Sequence, residues 1–353
     1  MSNKKSISFI LNPHSGTHSK EELPKLIEEH LDKSKFDYRL IITEYAGHAA
    51  ELAKQCVEQH TDIVVAVGGD GTVNEVARSL VHSQTALGII PCGSGNGLAR
   101  HLCIPMDVKK AINIINQCKI EALDYGVINE LPFFCTCGMG FDAFISLKFA
   151  GAGKRGPITY VENVLKEGLK YQPETYIVQD ETGTKQYKAF LIACANASQY
   201  GNNAFIAPQA SMTDGLMDVI IMEPFTAFDA PQISIDMFNG TLDKNSRIKT
   251  FRAKSIKITR AHEGAIHYDG DPIMTGKDID VRIEPKGIQI ITNPNTPEVV
   301  RQPNIFLNAF SEFFNNINSV RDDIEKQSRR IQAINKVLLR KLTNNTTYPN
   351  KQG

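Results

Sequence analysis

Along the first 125 residues the apolar positions alternate between two patterns. Residues 6–11, 38–43, 62–67 and 86–91 are short apolar runs of the strand type. The run 62–67 (DIVVAV) is apolar after its first residue, which predicts a strand buried on both faces. Amphipathic stretches at 47–59, 73–81 and 108–117 predict helices between the strands. Another helix is predicted to open near Lys20, where Ser19-Lys-Glu-Glu22 forms a capping box. The βαβα rhythm predicts an α/β unit, a parallel sheet covered by helices. Ligands of such sheets sit beyond the carboxyl ends of the strands.

From about residue 126 the pattern changes. Strands are predicted at 133–137, 176–179, 189–193, 217–222, 255–259, 279–283 and 288–291, with one long helical stretch at 158–171. Few helices and many turns predict an antiparallel β sandwich or barrel. After Pro303, the residues Phe306, Phe310, Phe313, Ile317, Val320, Ile324, Ile331, Ile334 and Leu338 recur at heptad spacing, broken once at Gln327. That predicts an amphipathic C-terminal helix. Its basic stretch from Lys326 to Lys341 contains no acidic residue. The last ten residues are polar and predict disorder.

The chain has 353 residues, enough for two domains of roughly 150 residues each. It carries 39 basic and 39 acidic residues, a balance that argues against a protein coating nucleic acid. No apolar run reaches the roughly 18–20 residues of a membrane span. The apolar run behind the first lysines is too short for a signal-peptide core. The seven cysteines form no CxxC pair, so neither a disulfide framework nor a zinc ribbon is indicated. The expectation is a cytoplasmic chain that can visit the inner face of a membrane.

Chemistry concentrates in loops after the predicted parallel strands. Gly68-Gly-Asp-Gly-Thr-Val-Asn-Glu75 lies between a buried strand and a helix. Its glycines let backbone N–H groups approach phosphate oxygens at a helix N-terminus. Asp70 there suits a magnesium ion or a proton to be taken from an attacking hydroxyl. Thr72 and Glu75 also fit a capping box. Pro91-Cys-Gly-Ser-Gly-Asn-Gly97 follows the next strand, with Ser94 and Asn96 as further donors. The Walker pattern is absent. Asn12-Pro-His-Ser-Gly16 and Thr43 lie at the same predicted rim; His14 and His48 read as loop residues facing solvent. Gly138-x-Gly-x-x-Ala143, with Glu162 about 20 residues on, matches a dinucleotide fingerprint, but no repeated βαβ pattern surrounds it.

Together these segments resemble the diacylglycerol kinase catalytic-domain superfamily, which includes bacterial diacylglycerol kinases, YegS-like lipid kinases and sphingosine kinases. The resemblance runs to about residue 292. It rests on Asn12-Pro-x-Ser-Gly16, Thr43 with Gly47-His-Ala49, Gly68–Glu75, Pro91-x-Gly-Ser-Gly-Asn96, Ile206-Ala-Pro208 with Asp214-Gly-Leu-Met-Asp218, and Asp269-Gly-Asp271. GGDGT alone is shared with NAD kinases and phosphofructokinases.

The resemblance implies a nucleotide-binding catalytic domain (1–125) and a β-sandwich lipid-binding domain (126–295); the helical tail (296–353) lies outside it. It implies an ATP- and magnesium-dependent kinase phosphorylating a primary hydroxyl of diacylglycerol or a sphingoid lipid at a membrane surface. Asn12, Ser15, Gly16, Thr43, Gly68, Gly69, Gly71, Thr72, Asn74, Glu75, Gly93, Ser94, Gly95, Asn96 and Arg155 would meet the nucleotide. Asp271, Asp269 or Asp70 would be the catalytic carboxylate. The family pattern has Glu where this chain has Asp271, one methylene shorter. Asp214, with the carbonyls of Ser211 and Leu216, would hold a metal, and Asp142 would face the lipid head. Two other functions stay open here: a soluble-substrate kinase of the NAD kinase type, and a non-catalytic nucleotide or lipid sensor. For the tail, packing on the protein's own surface, a coiled-coil homodimer and binding to anionic lipid all remain open.

Overall fold

The computed structural model of the protein describes residues 4–15, 22–149, 167–168, 170–226 and 228–295. The expected tail helix, Gly16, Arg155, Glu162 and most of the expected helix 158–171 lie outside the described residues.

The N-terminal lobe is the expected α/β unit. Its strands are β1 (Lys5–Leu11), β2 (Phe36–Ile42), β3 (Ile63–Gly68) and β4 (Ala86–Pro91). They pair in parallel in the order β2-β1-β3-β4. Every residue of β3 and β4 is buried, as a sheet covered on both faces requires. The helices are α1 (Glu22–His30), α2 (His48–Glu58), α3 (Asp70–Leu80), α4 (Gly97–His101) and α5 (Val108–Gln117). α1 packs with α5 and α2 with α3.

The second lobe is an antiparallel sandwich. Its strands are β5 (Ile120–Ile128), β6 (Leu131–Phe133), β7 (Thr136–Gly140), β8 (Glu174–Asp180), β9 (Gly183–Ala189), β10 (Leu191–Ala195), β11 (Met217–Met222), β12 (Ile248–Ala253), β13 (Ser255–Arg260), β14 (Gly264–Tyr268), β15 (Asp271–Thr275) and β16 (Asp278–Ile291). One sheet runs β12-β11-β10-β7-β14-β15. Its inner face (Cys137, Met139, Cys194, Val219, Ile266) meets Tyr176, Val178, Ile256, Ile258 and Val281 of the other. α6 (Phe141–Phe149) and α7 (Ala230–Asn239) contribute Phe141, Ile145 and Ile233 to the apolar cluster on the outer face.

The two expected strands 279–283 and 288–291 are one strand, β16, with a register shift between Glu284 and Ile288. Ile279, Val281 and Ile283 fill the sandwich core, whereas Ile288, Ile290 and Ile291 fill the core of the first lobe. Ile290 is the register partner of Leu87 in β4, so the last strand extends the parallel sheet. The bulge turns the strand out of one core and into the other. The two lobes are therefore stitched by backbone hydrogen bonds as well as by side chains.

The expected strand 133–137 is two strands, broken at Phe134 and Cys135. That break presents three backbone N–H groups to the site described below.

Candidate active site

The loops after β1, β2, β3 and β4 share one rim of the parallel sheet, and the first turns of α3 bind them together. α3 starts at Asp70 with Gly69 as its N-cap. Thr72 is therefore inside the helix, and the capping box expected for Thr72 and Glu75 does not form. Both side chains reach outward instead. Asn12 Nδ2 donates to Thr72 Oγ1 at 3.0 Å, tying the first loop to the third. Glu75 Oε1 accepts from the Gly47 N–H at 3.1 Å, tying in the second. Asp70 ties in the fourth: Oδ2 accepts from the Asn96 N–H at 2.8 Å and Oδ1 from the Gly97 N–H at 2.7 Å. Asn96, left-handed at φ 53°, closes its own loop on Gly93 by accepting from its N–H and donating to its carbonyl.

Most glycines here are required by packing between the loops. A Cβ on Gly93 would lie 2.6 Å from the Gly69 Cα, and one on Gly95 would lie 2.6 Å from Asp70 Oδ2. A Cβ on Gly68 would strike the Thr72 side chain. Gly71 differs, because its added Cβ would meet nothing within 4 Å. No neighbour in the chain needs a glycine at that exposed position in the first turn of α3. The N–H groups of that turn have no intrahelical acceptor. Ser94 is exposed on the fourth loop, and Thr43 is buried at the end of β2, where its N–H donates to Leu11. Ser15 donates its N–H to the Asn12 carbonyl.

The second lobe closes on this rim. The Asn202 N–H donates to the Gly95 carbonyl, and a Cβ on Gly97 would meet the backbone of Gln199–Gly201 at 3.3 Å. His101 of α4 accepts at Nδ1 from the Ser198 N–H at 3.1 Å. Its burial in this seam pulls the imidazole pKa down to about 4.

Asp269 and Gly270 form the two-residue turn of the β14–β15 hairpin, with φ 53° and 87°. Both positive angles suit a type I′ turn and an Asp-Gly pair. The Asp269 carboxylate is committed to the fold: Oδ2 accepts from the Phe134 N–H, and Oδ1 from those of Cys135 and Thr136. Burial pushes its pKa up, opposed by those three bonds. Asn74 Nδ2 reaches the Asp269 carbonyl at 3.4 Å, so α3 touches this hairpin as well.

Asp271 stands differently. Its side chain is 53% exposed, and Oδ2 accepts from Arg78 Nη1 at 2.7 Å. Arg78 is a site residue that sequence reasoning missed. Its signal was its place four residues after Asn74, on the same helical face.

Asp142 opens α6 and accepts from His267 Nε2 at 3.0 Å and from the Tyr200 hydroxyl at 3.4 Å. His267 Nδ1 accepts the Gly270 N–H at 3.4 Å, so the ring carries its proton on Nε2. Asp142 is thereby linked through one imidazole to the turn before Asp271. Gly138 lies in β7, antiparallel to both neighbours, a setting unlike a dinucleotide-binding βαβ turn.

Asp214 is not brought to this cluster. It lies beside the β11–β12 edge, whereas Asp271 opens β15 at the opposite edge of the same sheet. Four strand spacings, about 19 Å, separate β11 from β15. Asp214 Oδ1 accepts its own Leu216 N–H, and Arg252 Nη1 lies 3.5 Å from Oδ2. Arg252 also pairs with Asp218 at 3.2 Å and donates to the Gln209 carbonyl. Ser211 Oγ bonds to the Thr213 hydroxyl. A guanidinium thus supplies positive charge where the resemblance implied a metal. Among the described residues, no three His, Cys, Asp or Glu side chains cluster as a metal site. The loop is anchored instead by Asp124, 1% exposed, which accepts from the Gly215 and Lys286 N–H groups at 2.8 Å each.

Comparison with known proteins agrees with this layout. Residues 6–128 match the diacylglycerol kinase catalytic domain model, and residues 136–292 match that of the YegS C-terminal NAD kinase beta sandwich-like domain. A diacylglycerol kinase of Staphylococcus saprophyticus is 28% identical over 76% of this chain and 89% of its own. A probable YegS-like lipid kinase of Chromohalobacter salexigens is 27% identical over 65% of this chain and 76% of its own. A crystal structure of a diacylglycerol kinase from Bacillus anthracis superposes with a TM-score of 0.64 at 18% identity. That superposition covers 82% of this chain and 97% of the other, and shows a shared fold. No helix of the described residues is long and apolar enough to cross a membrane.

The His101 shift sets a pH window for the seam between the lobes. A histidine with a folded pKa near 4 and an unfolded value near 6.5 is neutral in both states above 6.5. As pH falls from 6.5 to 4, the unfolded chain takes the proton first and stability drops, by about 3 kcal/mol at the lower end. Melting temperatures measured from pH 7 to pH 4 should fall less steeply for His101→Asn, which keeps an acceptor near Nδ1, than for the parent. Parallel curves would mean that His101 does not titrate in this window.

Proposed function

The chain belongs to the diacylglycerol kinase catalytic-domain superfamily, and from that premise we propose that it is an ATP-dependent lipid kinase. It transfers the γ-phosphoryl group to a primary lipid hydroxyl at a membrane surface. Diacylglycerol is the first candidate substrate, because relatives aligned over 76% of this chain carry that name. The observation that carries the reading is the joining of four strand-end loops by α3, beside a hairpin bearing a carboxylate open to solvent.

Phosphoryl transfer asks a protein mainly for alignment and charge stabilisation. ATP enters as its magnesium complex, which neutralises charge on the phosphates. First-turn N–H groups of α3 around Gly71, with the Gly93–Gly95 loop and Ser94, cradle the phosphate oxygens. Asn12, Ser15 and Thr43 line the same rim. Thr72, Asn74, Glu75 and Asn96 hold the loops in place.

The base is assigned by elimination. Both oxygens of Asp70 and both of Asp269 accept backbone N–H groups. Asp271 has only Oδ2 engaged among the described residues. It takes the hydroxyl proton as the lipid oxygen bonds to the γ-phosphorus and the β,γ-bridging bond breaks, leaving ADP. Asp142, with His267 and Tyr200, is assigned to the lipid-head side. A soluble substrate is less supported, since the relatives named above are lipid kinases. A silent sensor predicts nucleotide binding without turnover.

Two measurements test this. Incubation with labelled ATP, magnesium and a panel of diacylglycerol, sphingosine, NAD and a sugar phosphate should give transfer to diacylglycerol fastest. Faster transfer to NAD or the sugar phosphate, or ATP binding with no transfer, would overturn the reading. Gly71→Ala should raise unfolding stability by up to about 1 kcal/mol, because alanine replaces glycine inside a helix with open space around it. The same variant should bind ATP less tightly. Unchanged ATP affinity would remove Gly71 from the phosphate cradle.

A further inference from the structure

Arg78 belongs to α3 in the first lobe, yet its side chain reaches across to the second. Nε donates to the Pro132 carbonyl at 3.3 Å, Nη2 to the Tyr268 carbonyl at 3.2 Å and Nη1 to Asp271 Oδ2 at 2.7 Å. The guanidinium carbon lies 4.3 Å from the centre of the Tyr268 ring. Two carbonyls, a carboxylate and an aromatic face therefore fix the plane of a side chain that is only 21% exposed. Arginine is suited to this, because its donors diverge in one rigid fork.

Of these partners, Asp271 alone is charged, and it alone stands out in solvent. A half-exposed ion pair of this kind contributes little to stability. Its other consequence is geometric. Without Arg78, nothing among the described residues would hold the Asp271 carboxylate in one rotamer. An aspartate side chain is short, so it has little reach with which to correct an error in aim. A fixed cation at one oxygen determines where the second oxygen lies.

We propose that Arg78 is the positioning residue of Asp271: it holds the carboxylate at one oxygen so that the other receives the substrate proton. The proposal rests on the assignment of Asp271 as the base. All three guanidinium nitrogens of Arg78 donate to acceptors within the protein. It couples catalysis to the seam between the lobes, because the same guanidinium that aims the base also grips Pro132 and Tyr268.

The test is a double-mutant cycle on the full chain, with kcat and KM for ATP and lipid measured for Arg78→Met, Asp271→Asn and the double variant. A misdirected base costs rate rather than affinity, so Arg78→Met should lower kcat by about 10- to 100-fold. Both KM values should stay within about threefold. Asp271→Asn should lower kcat further, and the double variant should be no slower than Asp271→Asn alone. Arg78→Lys, which keeps the charge, guards against misfolding and should fall between the parent and Arg78→Met. An unchanged kcat in Arg78→Met would overturn the proposal, as would losses that multiply in the double variant. Asp271→Asn with parental kcat would overturn the base assignment itself, and Arg78's role with it. Low Asp271→Asn activity beside a fully active Arg78→Met overturns only the positioning role.

Discussion

The site depends on the Asp70 carboxylate, which accepts two backbone N–H groups from the neighbouring loop at 2.7 and 2.8 Å. Loops are held weakly by their own residues, and a glycine-rich loop most weakly, since glycine loses the most freedom on ordering. Gly93, Gly95 and Gly97 fall within five residues of one another. An anionic acceptor at the start of α3 offsets that cost with charge-assisted hydrogen bonds, stronger than neutral ones. The glycines then become necessary rather than loose, because Gly69 and Gly93 approach each other too closely for a Cβ. The same few residues of α3 fasten the other loops through Thr72 and Glu75, and Asn74 reaches the hairpin of the second lobe.

That helix therefore connects the two halves of the proposed reaction. Its first turn faces the loop rim proposed to hold phosphate, and its last turn carries Arg78 to the hairpin of Asp271. Eight residues of helix span about 12 Å. β16 supports the arrangement from behind, since one strand serves both cores. The two lobes are thus held by a strand, by a helix face, and by the Gln199–Gly201 backbone packed on Gly97.

Much of this was legible in the chain. DIVVAV predicted a doubly buried strand, and β3 is buried at every position. The bounds expected for residues 86–91, 108–117 and 217–222 are the observed ones, because turn chemistry marks their ends. β9 and β15 were not anticipated. Their burial patterns are mostly exposed, so neither alternation nor an apolar run announces them. α6 is apolar around most of its surface, which hides helical periodicity. At the site, the loops were legible because glycine and small polar residues have few other uses after a buried strand. The duties of the carboxylates were not. Asp70, Asp269 and Asp271 look equivalent in sequence. What separates them is which backbone N–H groups the fold brings within reach, and that follows from loops and lobes distant along the chain. Arg252 beside Asp214 is the same case, since the two meet only through the pairing of β11 with β12.

The most direct test of Asp70 as the fastening of the site is amide hydrogen exchange in Asp70→Asn, measured together with ATP affinity. Exchange at Asn96 and Gly97 should accelerate while the buried strands of both lobes stay protected. ATP affinity should fall by at least about tenfold, equivalent to ~1.4 kcal/mol. Transfer abolished with parental ATP affinity and parental protection at Asn96 and Gly97 would contradict the account, because Asp70 would then be acting in the chemistry rather than in the architecture.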